Sequence, residues 1–135
     1  MRAVQQIGIW PVGIVDEMIA EYPLIGSNSK VLGFNSKWKR QRPFPVDMAS
    51  FAVNISRILT HADGGFSYRT PRGYLESNFL ISLNVTLNEF EPKADNCTKV
   101  YVWHTRTEKT ALLEEESAKF TSRQKLDPVE KDAIF

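Results

Sequence analysis

The sequence predicts an α/β fold, because short apolar runs alternate with stretches of helical apolar spacing. Residues 7–12, 31–34 and 99–104 have the length and punctuation of strands. Between them, apolar residues recur at helical intervals after Asp47 and again after Gly73. The chain has 135 residues, 42% of them hydrophobic, which suits one globular domain. At that size a domain buries roughly two-thirds of its unfolded surface. Three strands nevertheless make a thin sheet for an independent fold.

Taken in order, Ile7-Gly8-Ile9-Trp10-Pro11-Val12 reads as a buried strand stopped by proline. Pro11 and Gly13 interrupt the apolar stretch and Asp16-Glu17 end it, which is not the pattern of a secretory leader. The chain is expected to open inside something strand-like, in a cytosolic domain or in the middle of a larger protein. After a loop at 25–29, Val31-Leu32-Gly33-Phe34 forms the second strand. Pro43 and Pro45 push their predecessors toward extended geometry, so 38–45 is expected to be extended. A helix follows with Asp47 as N-cap, carrying Met48, Phe51, Ala52, Ile55, Ile58 and Leu59 on one side. Residues 61–65 form a turn. Thr70-Pro71-Arg72-Gly73 leads to a second helix with Leu75, Phe79, Leu80 and Leu83 on its apolar face. Residues 99–104 alternate as a third strand. The remainder, 110–135, carries Glu114-Glu115-Glu116 and is expected to be a solvated tail or exposed helix.

Composition excludes several classes of function. Seventeen Lys+Arg against sixteen Asp+Glu leave a net charge of +1, too little for a nucleic-acid-binding surface. One cysteine precludes an intrachain disulfide and a multi-thiolate zinc site. Two distant histidines, His61 and His104, argue against a histidine-rich metal site. No apolar run approaches the ~20 residues of a membrane span. The sequence shows no Gly-rich phosphate loop, no Asp-x-Asp pair and no spaced carboxylates resembling a metal site.

Glu76 is the sharpest local signal. At ~100° per residue it falls inside the helical sector that holds Phe79, Leu80 and Leu83. A carboxylate on an apolar face is costly unless paired or used. Arg72, four residues earlier, is placed to pair with it. Two readings stand: a structural Arg–Glu pair helped by the helix dipole, or a general base in a cleft. Capping alone explains Asp47, and Arg42 is ordinarily a solvated cation. A fixed Arg beside a fixed Asp also clamps sugar hydroxyls, one donating and the other accepting. Trp38 is either a stacking surface for a sugar or a partly buried anchor. His104 ends the third strand with Arg106 on the same side. Ligands collect at such strand ends, where the two would suit a diphosphate; ordinary strand-end polarity explains them equally well.

Four strings carry a family resemblance: WPVG (10–13), RPFPVDMASFAV (42–53), PRGYLES (71–77) and NCTKVYVWHTRTEK (96–109). In order over residues 4–109, the sequence resembles the C-terminal half of the 3-beta-glucuronosyltransferases, glycosyltransferase family 43. The resemblance implies the acceptor-side half of a GT-A fold, a mixed sheet flanked by helices. Residues 1–109 would form the acceptor-binding and catalytic-base part, and 110–135 a charged tail. It implies inverting transfer of glucuronic acid from UDP-glucuronate to the 3-hydroxyl of a terminal galactose, with Mn²⁺ on the diphosphate. Glu76 then matches the catalytic base. Arg72 and His104 match donor-side groups, with Arg106 a weaker candidate beside them. Arg42, Asp47 and Glu21 match ligands of the acceptor hydroxyls.

The family also has a signal anchor, a stem and a nucleotide-binding half with an Asp-rich metal motif. These have no counterpart in the sequence, so the resemblance implies a truncated chain, inactive alone, with the Mn²⁺ motif absent. A non-catalytic short form, acting as a dimerising or glycan-binding partner, is the alternative. A Golgi membrane setting, lumenal face, and a homodimer are implied in the same way. Asn54, Asn84 and Asn96 all head Asn-x-Ser/Thr sequons. Asn54 falls in an expected helix, which leaves Asn96, in a loop, as the best glycosylation candidate. Cys97 is expected to be a small buried residue.

Overall fold

The computed structural model of the chain describes residues 3–134. Two three-stranded sheets meet at Pro11. The first has the order β5-β1-β6: β1 (Ile7–Ile9) runs antiparallel to β5 (Phe51–Val53) and parallel to β6 (Phe90–Pro92). The second, β2-β3-β4, is an antiparallel meander of β2 (Val12–Val15), β3 (Met18–Ile25) and β4 (Val31–Asn35). The mixture of sheets and helices is compatible with the expected α/β class.

The apolar run at 7–12 therefore belongs to two strands. Proline has no amide proton to give a ladder, so pairing passes from one sheet to the other at Pro11. Asp16 and Glu17, with φ of 47° and 65°, make the two-residue hairpin turn that starts β3. The long strand β3 escapes the sequence reading, because Glu21 and Pro23 interrupt its apolar pattern.

The expected single helix after Val46 is three elements. Asp47 does cap a helix, but a 3-10 turn of only three residues, Met48–Ser50. The chain then becomes β5, whose Phe51, Ala52 and Val53 pair with Ile9, Gly8 and Ile7. A second cap, Asn54, opens α1 (Ile55–Thr60) by accepting from Ser56 N. Sheet pairing overrides the helical spacing at this point. Residues 38–42 likewise turn rather than extend: Lys39 is left-handed, with φ 43°, and Arg42 N donates to Lys39 O at 2.9 Å. The second expected helix forms as α2 (Leu75–Ser82). Its buried side is Phe79, Leu80 and Ser77, followed by Leu83; Leu75 lies outside at 40% exposure.

Residues 99–104 form no strand. They make one parallel bridge, Gly13 with Trp103, through Gly13 N to Val102 O (2.9 Å) and His104 N to Gly13 O (3.0 Å). A Cβ on Gly13 would lie 2.5 Å from the Trp103 ring, so only glycine admits this contact. Just before it, α3 (Ala94–Cys97) is one left-handed turn, with φ between 53° and 61° at all four residues.

The largest departure is the C-terminal segment. Expected as a solvated tail or exposed helix, it forms α4 (Glu114–Ser122), a helix with most residues exposed, and α5 (Pro128–Ala133), and both pack on β3. Leu126, Val129 and Ala133 join Ile19, Ala20 and Val100 in a second core. The first core lies around β1, with Ile7, Ile9, Phe44, Leu80, Leu83 and Phe90. Among the described residues, no helix is long and apolar enough to cross a membrane.

Candidate active site

Glu76 stands in the first turn of α2, where the turn before it is set by Gly73 at φ 82°. A side chain at Gly73 would meet Trp38 Nε1 at 2.9 Å, so the glycine lets this turn pack against Trp38. The partner of Glu76 is Arg42, not Arg72. Arg42 Nη1 lies 3.7 Å from Glu76 Oε2. Arg42 is not a solvated cation either: its side chain is 2% exposed, against 20% for Glu76. The 39–42 turn folds the guanidinium onto three carbonyls, of Lys39 (3.3 Å), Gly73 (3.1 Å) and Trp38 (3.1 Å). Arg42 thus ties the base of α2 to the loop that carries Trp38. Arg72 contributes its carbonyl to Lys39 Nζ and lines a cleft nearby.

Asp47 has two tasks. Its Oδ1 accepts from Ala49 N at 2.7 Å, and its Oδ2 lies 2.8 Å from His104 Nδ1. A buried acid and a half-exposed imidazole therefore join the RPFPVD and HTRTEK segments.

Glu21 sits on β3, only 4% exposed. Its Oε1 accepts from Ser36 Oγ, while Oε2 is buried without a hydrogen-bond partner. Burial pushes its carboxyl up to about 7; the Ser36 bond opposes this, and the negative charge of Asp16 adds to it. A void of about 10 Å³ lies against Glu21, Asp47, Trp10 and Phe34. Asp16, at the hairpin turn, is also raised, first by partial desolvation and then by Asp47; Arg42, His104 and Arg106 pull the other way. The sequence offered Asp16 only as the end of an apolar run.

Arg72, His104 and Arg106 share one cleft of about 580 Å³ with Lys37, Trp38 and Asp16. Its size is that of a small-molecule site. Its walls carry Lys37, Arg72, Arg106 and Lys109, with His104, against Asp16, Glu17 and Glu108. Ile14, a β-branched residue held at φ 53°, also faces it. Strain of this kind concentrates at functional sites. The far wall, Thr110 to Leu113, comes from the segment that reads as a tail and is pinned by Leu113 N donating to Glu17 O at 2.9 Å. Lys37 is held from outside by Glu115 and by Glu116 at 3.2 Å.

The three expected donor-side residues thus fall together. Arg42 and Glu76 form a separate pair outside the cleft lining, and the Asp47–His104 pair ties His104 to the RPFPVD segment. Asn96 is exposed in the left-handed turn, apart from the cleft lining. The manganese that the resemblance implies finds no ligand set: among the described residues no three His, Cys, Asp or Glu side chains are grouped to hold a metal ion.

Comparison with known proteins gives a consistent picture. The model of glycosyltransferase family 43 matches residues 1–108. A galactosylgalactosylxylosylprotein 3-beta-glucuronosyltransferase of Caenorhabditis elegans is 48% identical over 134 residues, 99% of this chain and 38% of the relative. The Drosophila melanogaster enzyme named galactosylgalactosylxylosylprotein 3-beta-glucuronosyltransferase I is 46% identical over 83% of the chain and 37% of its own length. The human enzyme named galactosylgalactosylxylosylprotein 3-beta-glucuronosyltransferase 1 is 45% identical over 90% of the chain and 36% of its own. The chain spans little more than a third of these curated relatives.

Proposed function

The chain belongs to glycosyltransferase family 43, and we propose that it forms the acceptor-side and catalytic-base part of an inverting 3-beta-glucuronosyltransferase of GT-A type. The observation that carries this reading is Glu76, braced by Arg42 at 3.7 Å in the helix turn that follows Arg72, which lines one cleft with His104 and Arg106.

In this reading Glu76 takes the proton of the galactose 3-hydroxyl as its oxygen attacks C1 of glucuronate. The new C1–O3 bond forms while the bond from C1 to the diphosphate oxygen breaks, and UDP departs on the opposite face. Arg42 is a positioning residue, holding Glu76 against the loop of Trp38. Arg72, His104 and Arg106 place positive charge where the leaving diphosphate gains negative charge. Asp47 accepts from an acceptor hydroxyl and Trp38 offers a face to the sugar, while Glu21, enclosed beside a void of about 10 Å³, would meet a hydroxyl only if that wall opened. No step is assigned to manganese, since among the described residues no three His, Cys, Asp or Glu side chains are grouped to hold a metal ion. A homodimer and a Golgi lumenal setting, with glycan at the exposed Asn96, complete the proposal.

The test uses a chimera in which this chain replaces the matched region of the Caenorhabditis elegans relative. The expected result is glucuronate transfer from UDP-glucuronate to a galactose-terminated acceptor. Glu76→Gln should then lower kcat by about 10²- to 10⁴-fold, the usual scale of a lost general base. Arg72→Ala should act mainly on the KM for UDP-glucuronate. Unchanged turnover in Glu76→Gln would reject the mechanism.

A further inference from the structure

The structure separates Asn54 from the other two sequons, at Asn84 and Asn96, by what its side chain already does. Asn54 Nδ2, the atom that would carry sugar, donates to Val4 O at 2.8 Å. Its Oδ1 accepts from Ser56 N at 2.9 Å to cap α1. A glycan there would break both bonds. Asn84 is different. It lies in the turn after α2, exposed, with φ 52° in the left-handed region that asparagine tolerates at a helix end. Its backbone is held from both sides: N donates to Ile81 O at 2.9 Å, and O accepts from Arg57 Nη2 at 2.7 Å. Val85 behind it is buried, and Thr86, the hydroxyl residue of the sequon, is exposed. No hydrogen bond among the described residues uses the Asn84 side chain. Two apolar side chains flank it in sequence, Ile81 at 45% and Leu87 at 37% exposure.

We infer that Asn84 is an N-glycosylation site, and that its glycan covers Ile81 and Leu87 while leaving the cleft of Arg72, His104 and Arg106 open. None of the residues bonded to Asn84 lines that cleft. The inference rests on the lumenal setting of the proposed function. A large hydrated group on a rigid turn would shield apolar surface that the fold leaves uncovered.

The test is to express the chain behind a cleavable secretory leader, recover the protease-protected lumenal fraction, and release glycans enzymatically in heavy-oxygen water. Heavy-oxygen label is expected at position 84 and not at position 54. Thr86→Ala should remove that label and one mobility step, while Thr86→Ser, which keeps the sequon, should retain both. Glycan release should also raise binding of an apolar-surface dye in the native chain, and Thr86→Ala should reproduce the part of that rise that comes from position 84. A lumenal chain without label at position 84 would overturn the site, and unchanged dye binding would overturn the covering role. A labelled chimera lacking transfer activity would count against the proposed function and not against this site.

Discussion

The two sheets are held by different forces. Around β1, Ile7, Ile9, Leu80 and Leu83 are fully buried and Phe90 packs edge-to-face with Phe34 and Phe44. This is an apolar core, in which each fully buried Leu or Ile contributes about 1.5–3 kcal/mol. The β2-β3 hairpin is covered instead by α4 and α5, which bury two glutamates beside the smaller apolar core of Leu126, Val129 and Ala133. Glu116, 1% exposed, accepts from Ile19 N (3.1 Å), Lys37 (3.2 Å) and Lys119 (3.3 Å). Glu130, 2% exposed, caps α5 reciprocally with Asp127 and bonds Lys119 at 2.8 Å. Tyr22 reaches Asp127 from β3. Apolar burial is non-directional and tolerates rearrangement, whereas charges out of water demand fixed partners. The expected active-site wall sits on the second, charge-fastened region, which fixes Lys37 and the 110–113 strap in place.

The widest separation between the two regions should come from Glu116→Ala. It leaves the buried Ile19 amide without its acceptor, while Lys37 keeps Glu115 and Lys119 keeps Glu130, and urea unfolding should show a loss of about 1–3 kcal/mol. The carboxyl of Glu116 is held below its usual value by the Ile19 amide, Lys37 and Lys119, against the opposing effect of burial. Its stabilisation is therefore complete above the ordinary glutamate range and is lost as pH falls through the lowered folded value. Acid should release α4 and α5 before the first core, seen in Trp103, whose indole donates to Ala133 O at 2.7 Å. Leu80→Ala should cost about 2–5 kcal/mol through cavity formation in the same urea assay, with little dependence on pH. If both variants showed the same acid sensitivity, the contrast between the regions would fail.

Glu21→Gln should have the opposite sign. Its folded value, about 7, lies above the ordinary 4.5, so wild-type stability falls as pH rises from about 4.5 to about 7. Denaturation at pH 8 should find the variant more stable by roughly 3 kcal/mol, with the gain gone below about pH 4.5. The same variant should transfer poorly in the chimera, since a costly buried acid is retained for function. The smallest effect belongs to Lys99→Ala. Its exposed pair with Asp132, at 3.2 Å, should be worth about 0–1 kcal/mol in urea unfolding and should fade with salt.

The same division governs what could be read in advance. α2 and β4 were legible because their apolar patterns are uninterrupted. β5 was not: Phe51, Ala52 and Val53 suit a helix face as well as a strand, and only β1, more than forty positions away, decides between them. The C-terminal helices were hidden because Glu116 and Glu130 look solvated until Lys37 and Lys119 are placed beside them. In the candidate site, Glu76 stood out as a carboxylate on an apolar face, and HTRTEK pointed to His104 and Arg106. Of the two readings of its brace, Arg42, as a solvated cation or a clamp for sugar hydroxyls, burial removes the first, and no local spacing reveals the three carbonyls that enclose it. Asp16, Lys37 and the 110–113 wall reach the cleft only through tertiary contacts.

The account turns on Arg42 acting through Glu76. The most direct measurement is a double-mutant cycle in the chimera, comparing kcat for Arg42→Ala, Glu76→Gln and both together. If Arg42 works by holding the base, removing it from the Glu76→Gln enzyme should cost little further turnover. Losses that multiply fully, as for two independent residues, would contradict the account.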